Sequence, residues 1–259
     1  MKIISCNILG YSPNDKGKAN WDNRKELIVE IIKKRNPDIF CIQEGHVIQI
    51  DYLLKAFPGY DIYGINESFE GRSRRNAIFY RQDKFILISA GGYWLSETPH
   101  VCGSRSWGSA GIRLANWVRL IEIPSNKEFR VINTHLDHVS QLAREKQAQL
   151  INEDTLAYPD SYPQILTGDM NCTLENPALQ SFITAGWKDS YKAFHHTYEE
   201  FCHTAHEFKG PDTTNKTGRI DWIFFRGQLK VTGAEIIKDS KNGQFPSDHY
   251  FISATFEFL

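Results

Sequence analysis

Asn7 closes the apolar run Ile3-Ile4-Ser5-Cys6, Glu44 follows Ile39-Phe40-Cys41-Ile42-Gln43, and His135 follows Val131-Ile132-Asn133-Thr134. Asp169 and Asn171 lie in Ile165-Leu166-Thr167-Gly168-Asp169-Met170-Asn171, Asp221 in Gly218-Arg219-Ile220-Asp221-Trp222, and Asp248-His249 just before the last apolar run. Singly, such residues are what turns and caps select, because Asp and Asn side chains bond nearby backbone. Together, at the same kind of station, they share one chemical use. An anionic phosphate ester repels nucleophiles, so its hydrolysis needs positive charge near the non-bridging oxygens and a positioned, deprotonated water. Glu44, Asp248 and the amide of Asn7 offer hard oxygen ligands of the kind that suit magnesium or manganese. Asp169 is the candidate acceptor for the proton of the attacking water, with Asn171 fixing that carboxylate or the phosphoryl oxygen. His135 and His249 are candidate donors to developing charge, and Asp221 would hold the His249 ring in the useful tautomer.

Positioning such groups is the work of strand ends on a rigid sheet. Short apolar runs rich in β-branched and aromatic residues recur at 2–8, 38–42, 60–65, 77–80, 85–89, 116–123, 129–134, 164–167, 220–225 and 250–258, with turn formers such as Pro58-Gly59 and Asn242-Gly243 between them. Helices are expected over 24–35, which Asn36-Pro37 stops, and over 139–153, with Leu142, Ala143, Leu150 and Ile151 as its apolar side. Shorter ones are expected over 47–57 and 177–184. Strands outnumber helices without strict alternation, which fits two sheets packed face to face with helices outside. With no linker or low-complexity tract, residues 1–259 read as a single domain.

Composition narrows the function classes. The 259 residues carry 30 Lys and Arg against 31 Asp and Glu, so there is no basic excess with which to grip long duplex nucleic acid. The five cysteines are odd in number and lack CxxC spacing, which favours a reduced compartment and disfavours zinc held by paired thiolates. No run approaches the roughly 20 apolar residues that cross a bilayer, and Met1–Asn7 reads as a strand and not as a signal peptide. Of three sequons, at Asn66, Asn171 and Asn215, the second would place a glycan on a candidate site residue. A bacterial, cytoplasmic monomer without an obligate protein partner is the resulting expectation, with a secreted protein as the alternative if a signal peptide has been removed.

Other features carry weaker signals. The glycine-rich stretch 102–111 holds Arg105 and Trp107, which suit one wall of a cleft, the Trp stacking on a base or sugar and the Arg meeting phosphate. Arg113 alternates with apolar neighbours and is a third candidate substrate contact. The basic loop at 71–76 reads as solvated. His195, His196, Cys202, His203 and His206 match no zinc-finger spacing and read as a substrate-facing loop.

In order along the chain, the segments ending in Asn7 and Glu44, then Asn133-Thr134-His135-Leu136, Gly168-Asp169-Met170-Asn171, Arg219-Ile220-Asp221 and Ser247-Asp248-His249 resemble the signature of the endonuclease/exonuclease/phosphatase superfamily. The resemblance covers residues 4–252. It implies an α+β fold, a four-layer α/β/β/α sandwich of two mostly antiparallel sheets flanked by helices, with catalysis by Mg2+ or Mn2+. It also implies that Glu44 is the principal metal ligand, that Asn7 and Asp248 lie close to the metal or its waters, that Asp169 and Asn171 serve the nucleophile, and that Asp221 supports His249. His135 stands where apurinic endonucleases carry a tyrosine and is similar to the histidine of sphingomyelinases and deadenylases. The stretches 94–99 and 133–144 look most like uncharacterised bacterial members.

The function expected is therefore metal-dependent phosphodiester hydrolysis on a nucleotide, a single-stranded nucleic acid or a phospholipid headgroup. A phosphomonoesterase acting on a sugar or lipid phosphate is the enzymatic alternative. A binding module that has kept the fold and lost catalysis is the alternative of another class, and the intact residue set argues against it.

Overall fold

Alternating side chains in the first strand, β1 (Lys2–Asn7), enter two different cores. The computed structural model describes residues 1–69, 76–196, 203–214 and 217–259. The basic loop at 71–75, Cys202 and the sequon at Asn215 lie outside the described residues. The chain goes on through α1 (Trp21–Arg35), β2 (Ile39–Gln43), α2 (Val47–Ala56), β3 (Tyr60–Tyr63), β4 (Ile78–Arg81), β5 (Phe85–Trp94) and β6 (Leu114–Glu122). After these come β7 (Lys127–His135), α3 (Gln141–Thr155), β8 (Gln164–Asp169), α4 (Pro177–Thr184), β9 (Lys188–Asp189), α5 (Ser190–His195), β10 (Asp221–Arg226), β11 (Leu229–Ile237) and β12 (Phe251–Phe258).

Among the described residues these strands make two sheets of six, ordered β11-β12-β1-β2-β4-β3 and β5-β6-β7-β8-β10-β9. Each has one parallel pair, β1 with β2 and β7 with β8, crossed by α1 and α3 respectively, and all other pairings are antiparallel. The two sheets thus repeat one plan, and the C-terminal ends of their central parallel strands meet at one edge of the gap. Ile3, Ile39, Val118, Val131 and Phe256 fill the rest of that gap. Ile4, Cys6, Phe40 and Ile42 pack outward against α1 and α2, while Ile132, Leu166 and Phe224 pack against α3 and α4. This is the expected four-layer α+β sandwich. No helix among the described residues is long and apolar enough to cross a membrane.

Helix ends follow local chemistry. The Asn20 side chain accepts from Asp22 N, so α1 begins three residues before the expected start, and the left-handed Asn36 ends it. Ser140 caps α3, whose sheet face is Ala143, Gln147, Ala148 and Ile151. Leu142, expected on that face, is 53% exposed instead, because nine residues before Ile151 it falls on the opposite side of a helix of about 3.6 residues per turn. The short α5 carries no apolar period long enough to be read from sequence.

The gap changes character towards the site. Asn133 of β7, fully buried, donates through Nδ2 to the carbonyls of Ile42 (2.8 Å) and Ala77 (3.1 Å) in the opposite sheet. Its Oδ1 accepts from Gln43 Nε2 (2.7 Å) and Thr167 Oγ1 (3.1 Å), and Gln43 Nε2 also donates to Ser5 Oγ (3.0 Å). A hydrogen-bonded polar layer centred on Asn133 therefore separates the apolar core from the strand ends above it. Gly168 brings β8 close against β7, since a Cβ there would run into the carbonyl oxygen of Thr134. Replacing Asn133 by Leu leaves buried partners unsatisfied, and we expect a loss of about 2–4 kcal/mol in urea-unfolding stability; an unchanged midpoint would show that the sheets do not depend on it.

Candidate active site

Three neighbouring strands bring their site residues to one level. In the register of the second sheet, His135 at the end of β7 pairs with Asp169 at the end of β8, and Asp169 pairs with Asp221 at the start of β10. Two carboxylates and an imidazole therefore stand side by side because of strand pairing alone. Across the gap, Asn7 at the end of β1 donates through Nδ2 to Asp169 Oδ2 (3.0 Å) and to Glu44 Oε1 (3.0 Å). Glu44 leaves β2 in a left-handed conformation (φ 63°), which turns its carboxylate inward, where Gly10 N donates to Oε2 (2.9 Å). The Asn7 amide oxygen, which the sequence suggests as a cation ligand, accepts from Leu9 N (3.1 Å), so its amide group spaces two carboxylates.

Asp169 is fixed at both oxygens, Oδ1 accepting from Asn171 N at 2.9 Å. The Asn171 amide nitrogen lies 2.8 Å from His135 Nε2 and donates to the carbonyl of Leu136 (2.9 Å), which sets the His135 ring 3.4 Å from Asp169 Oδ2. His249 Nδ1 lies 2.9 Å from Asp221 Oδ2 and 4.0 Å from Asp169 Oδ2. Thr204 Oγ1 accepts from the backbone N–H groups of Ile220 and Asp221, and Tyr250 N donates to the Thr204 carbonyl, so the Asp221 and His249 segments share one anchor. Asp248 is braced from behind, its carbonyl accepting from His206 N at 2.7 Å.

The electrostatics follow from this crowding. Burial, then the charge of Asp221, pushes the Asp169 carboxyl up to about 7, while His249 and the bonds from Asn171 and Asn7 pull it down. Burial works against a charged His249 ring, but Asp221, Asp169 and Asp248 outweigh it and hold the ring protonated well above the ordinary histidine range. Burial raises Asp248, and the neighbouring charge of Glu44 adds to that. Glu44, Asp169, Asp221 and Asp248 are four carboxylates gathered around one protonated imidazole, a surplus of negative charge made of hard oxygen donors. A divalent cation fits such a donor set. Asp169, Asp221 and His249 place ligand atoms within 4.8 Å of one another, but His249 Nδ1 and Asp221 Oδ2 already engage each other. Glu44, whose oxygens accept from Asn7 Nδ2 and Gly10 N, and Asp248, whose Oδ1 accepts from Ser247 Oγ, are further carboxylates that could hold the ion.

A cavity of about 460 Å3 opens onto these groups, lined at one end by Glu44, His135, Asp169, Asn171 and His249. Asn7 and Asp221 are buried behind this lining. At its other end stand Glu67, Asn76, Arg113 and His138. Arg113 is thus in the cavity wall, whereas Arg105 and Trp107 are outside it, Arg105 being exposed and Trp107 giving its carbonyl to Ser140 Oγ (2.8 Å). The buried Asp137 explains the difference. Its Oδ2 accepts from Ser109 Oγ (2.9 Å) and Ala110 N (2.8 Å), so the glycine-rich stretch meets the cavity only from Ala110 onward. Asp137, Glu67, Asn76, His138 and Thr204 were not singled out from sequence. Only Asp137 carried a signal, an Asp followed by the Ser140 helix cap. Of the histidine cluster, His195 at the end of α5 places Nε2 2.9 Å from the Ala234 carbonyl oxygen of β11, and His206 lies beneath Asp248.

His206 provides a test of that support. It is fully buried against Tyr250 (4.1 Å between ring centroids), and its Nδ1 accepts from Gly210 N (3.2 Å). Burial, with the His249 charge adding, pushes its pKa down to about 4. The unfolded chain takes up this proton near the ordinary value of about 6.5, so the contribution is present above that value and lost as pH falls towards 4. His206→Gln should lose less stability than the wild type between pH 7 and pH 5 in urea unfolding; equal losses would contradict the assignment.

A model described as the Endonuclease/Exonuclease/phosphatase family matches residues 4–249. An uncharacterised protein of Acanthamoeba polyphaga mimivirus is 33% identical over 183 residues, 66% of this chain and 67% of that protein. Nocturnin of Drosophila melanogaster is 26% identical over 280 residues, and the match takes in 92% of this chain but 42% of Nocturnin. Among solved structures, a mannosyl-6-phosphatase of Bacteroides thetaiotaomicron superposes with a TM-score of 0.90 at 30% identity, over 100% of both chains. The chain belongs to the endonuclease/exonuclease/phosphatase family.

Proposed function

We propose that this protein hydrolyses a phosphate ester of a small molecule with Mg2+ or Mn2+ bound at Glu44 and Asp248. The observation that carries this reading is that Glu44, Asp169, His135 and His249 line one end of a cavity of about 460 Å3, with Asp221 bonded to His249 behind them. That volume lies within the range of about 300–1,000 Å3 usual for small-molecule sites, and the near-neutral chain offers little grip on a polymer backbone. The mannosyl-6-phosphatase likeness over both whole chains favours a monoester, while the motif set itself suits a diester equally.

A bound divalent ion supplies Lewis-acid polarisation of the phosphoryl oxygens and a more acidic water. Asp169, held at both oxygens and raised towards neutrality, takes the proton of the attacking water. Asn171 orients Asp169 through its backbone N–H and His135 through its side chain. His249, kept charged by Asp221, stabilises negative charge that builds on the phosphoryl group.

Release of p-nitrophenol from the mono- and bis-p-nitrophenyl phosphates, measured with Mg2+, Mn2+ or EDTA, tests this. Asp169→Asn should lower the metal-dependent rate by about a hundredfold or more with its unfolding midpoint near that of the wild type. Activity that persists in EDTA would overturn the metal dependence, and activity retained in Asp169→Asn would remove this residue from the reaction. A higher kcat/KM on one ester decides between monoesterase and diesterase.

A further inference from the structure

A buried guanidinium stands behind the carboxylates and takes no part in the chemistry described so far. Arg24, in the first turn of α1, is fully buried, its guanidinium carbon 5.2 Å from the ring centroid of Trp21. Among the described residues its hydrogen bonds all end on main-chain oxygens. Nε donates to the Ala19 carbonyl (2.9 Å) and Nη2 to that of Leu9 (2.7 Å), while Nη1 donates to Ile8 and, at 3.4 Å, to Pro246. Burial pushes its pKa down to about 10 against the charges of Asp248, Asp15 and Glu44, so the group is charged at neutral pH. A buried charge with no carboxylate in direct contact is a costly way to fill a helix face that an apolar side chain would also fill.

The carbonyls it holds belong to the two segments that deliver Glu44 and Asp248. Leu9 follows β1 in a left-handed conformation (φ 54°), which a leucine adopts only where its surroundings impose it. Its carbonyl takes a second bond from the buried Gln49 Nε2 (2.8 Å), whose Oε1 accepts from Tyr11 N (3.2 Å). So held, the turn aims Leu9 N at Asn7 Oδ1 and Gly10 N at Glu44 Oε2. On the other side, Pro246 stands two residues before Asp248. One planar fork is therefore bonded both to the turn that grips Glu44 and to the segment that carries Asp248.

We propose that Arg24 is a positioning residue for the cation: it fixes the Leu9–Gly10 turn against the Pro246–Asp248 segment and so sets the spacing of the Glu44 and Asp248 carboxylates. The proposal rests on the metal-dependent reading above. A lysine keeps the charge but offers a single ammonium in place of the fork, and so does not hold both segments at once.

The test is calorimetric titration of Mn2+ into chelator-treated wild type, Arg24→Lys, Glu44→Gln and the double variant, with urea unfolding of each metal-free protein alongside. Arg24→Lys should bind Mn2+ about tenfold or more weakly, as for a residue that orients a ligand from behind. Its loss should be smaller in the Glu44→Gln background, because it acts in part through that carboxylate. A merely structural role would lower the unfolding midpoint and leave the Kd of the folded protein unchanged. If Arg24→Lys does not fold, the wild type still decides: the guanidinium N–H resonances of Arg24 should shift as Mg2+ is added, and resonances that stay in place overturn the proposal. An unchanged Kd in folded Arg24→Lys, or losses that multiply fully in the double variant, overturn it and leave the phosphoesterase reading standing. Absence of Mn2+ binding by the wild type overturns the metal-dependent reading itself.

Discussion

Asn133 is where the two sheets are tied together beneath the site. Its side chain spends every donor and acceptor it has, two on carbonyls of the opposite sheet and two on Gln43 and Thr167. The gap between the sheets has to pass from Ile and Val side chains to a group of carboxylates within a few residues along each strand. A buried charge directly on an apolar layer would be strongly disfavoured, and an incompletely bonded amide layer would be little better. Asn133, with its whole amide group engaged, bridges this change and fixes how β1 and β2 face β7 and β8. The cross-sheet contact from Asn7 to Asp169 depends on that alignment.

Above this layer the fold brings like charges together. Strand register sets Asp169 beside Asp221, and the turn after β2 brings Glu44 within reach of the same amide that holds Asp169. Neutral N–H donors from Asn7, Gly10 and Asn171 ease the crowding without cancelling the charge. What remains is a surplus of negative charge on hard oxygen donors and a set of perturbed acids, which is what the metal-assisted hydrolysis proposed above would use. The charge that makes the site poor as a structural core makes it suitable for chemistry.

The layered fold was legible because its signals are local. Apolar alternation marks the strands, Asn20 and Ser140 cap helices, and a polar residue at the end of an apolar run stands at the edge of a sheet. The same locality brings Asn7, Glu44, His135, Asp169, Asn171, Asp221, Asp248 and His249 into one neighbourhood, because parallel β1/β2 and β7/β8 end at the same edge. What lay beyond the sequence depends on contacts between distant segments. Glu67 and Asn76 join the cavity only through the fold of the segments around β3 and β4, and Arg105 and Trp107 stay outside it because Asp137 fastens the loop at Ser109 and Ala110. The direction of the Asn7 amide is likewise set by Leu9 N and two carboxylates, not by its position at a strand end.

The most direct measurement is calorimetric titration of Mn2+ into the chelator-treated protein, wild type and Glu44→Gln in parallel. If the carboxylate cluster exists to hold a divalent cation, the wild type binds Mn2+ saturably and Glu44→Gln binds it about tenfold or more weakly. Absence of binding at millimolar Mn2+, or identical isotherms for the two proteins, would contradict the account.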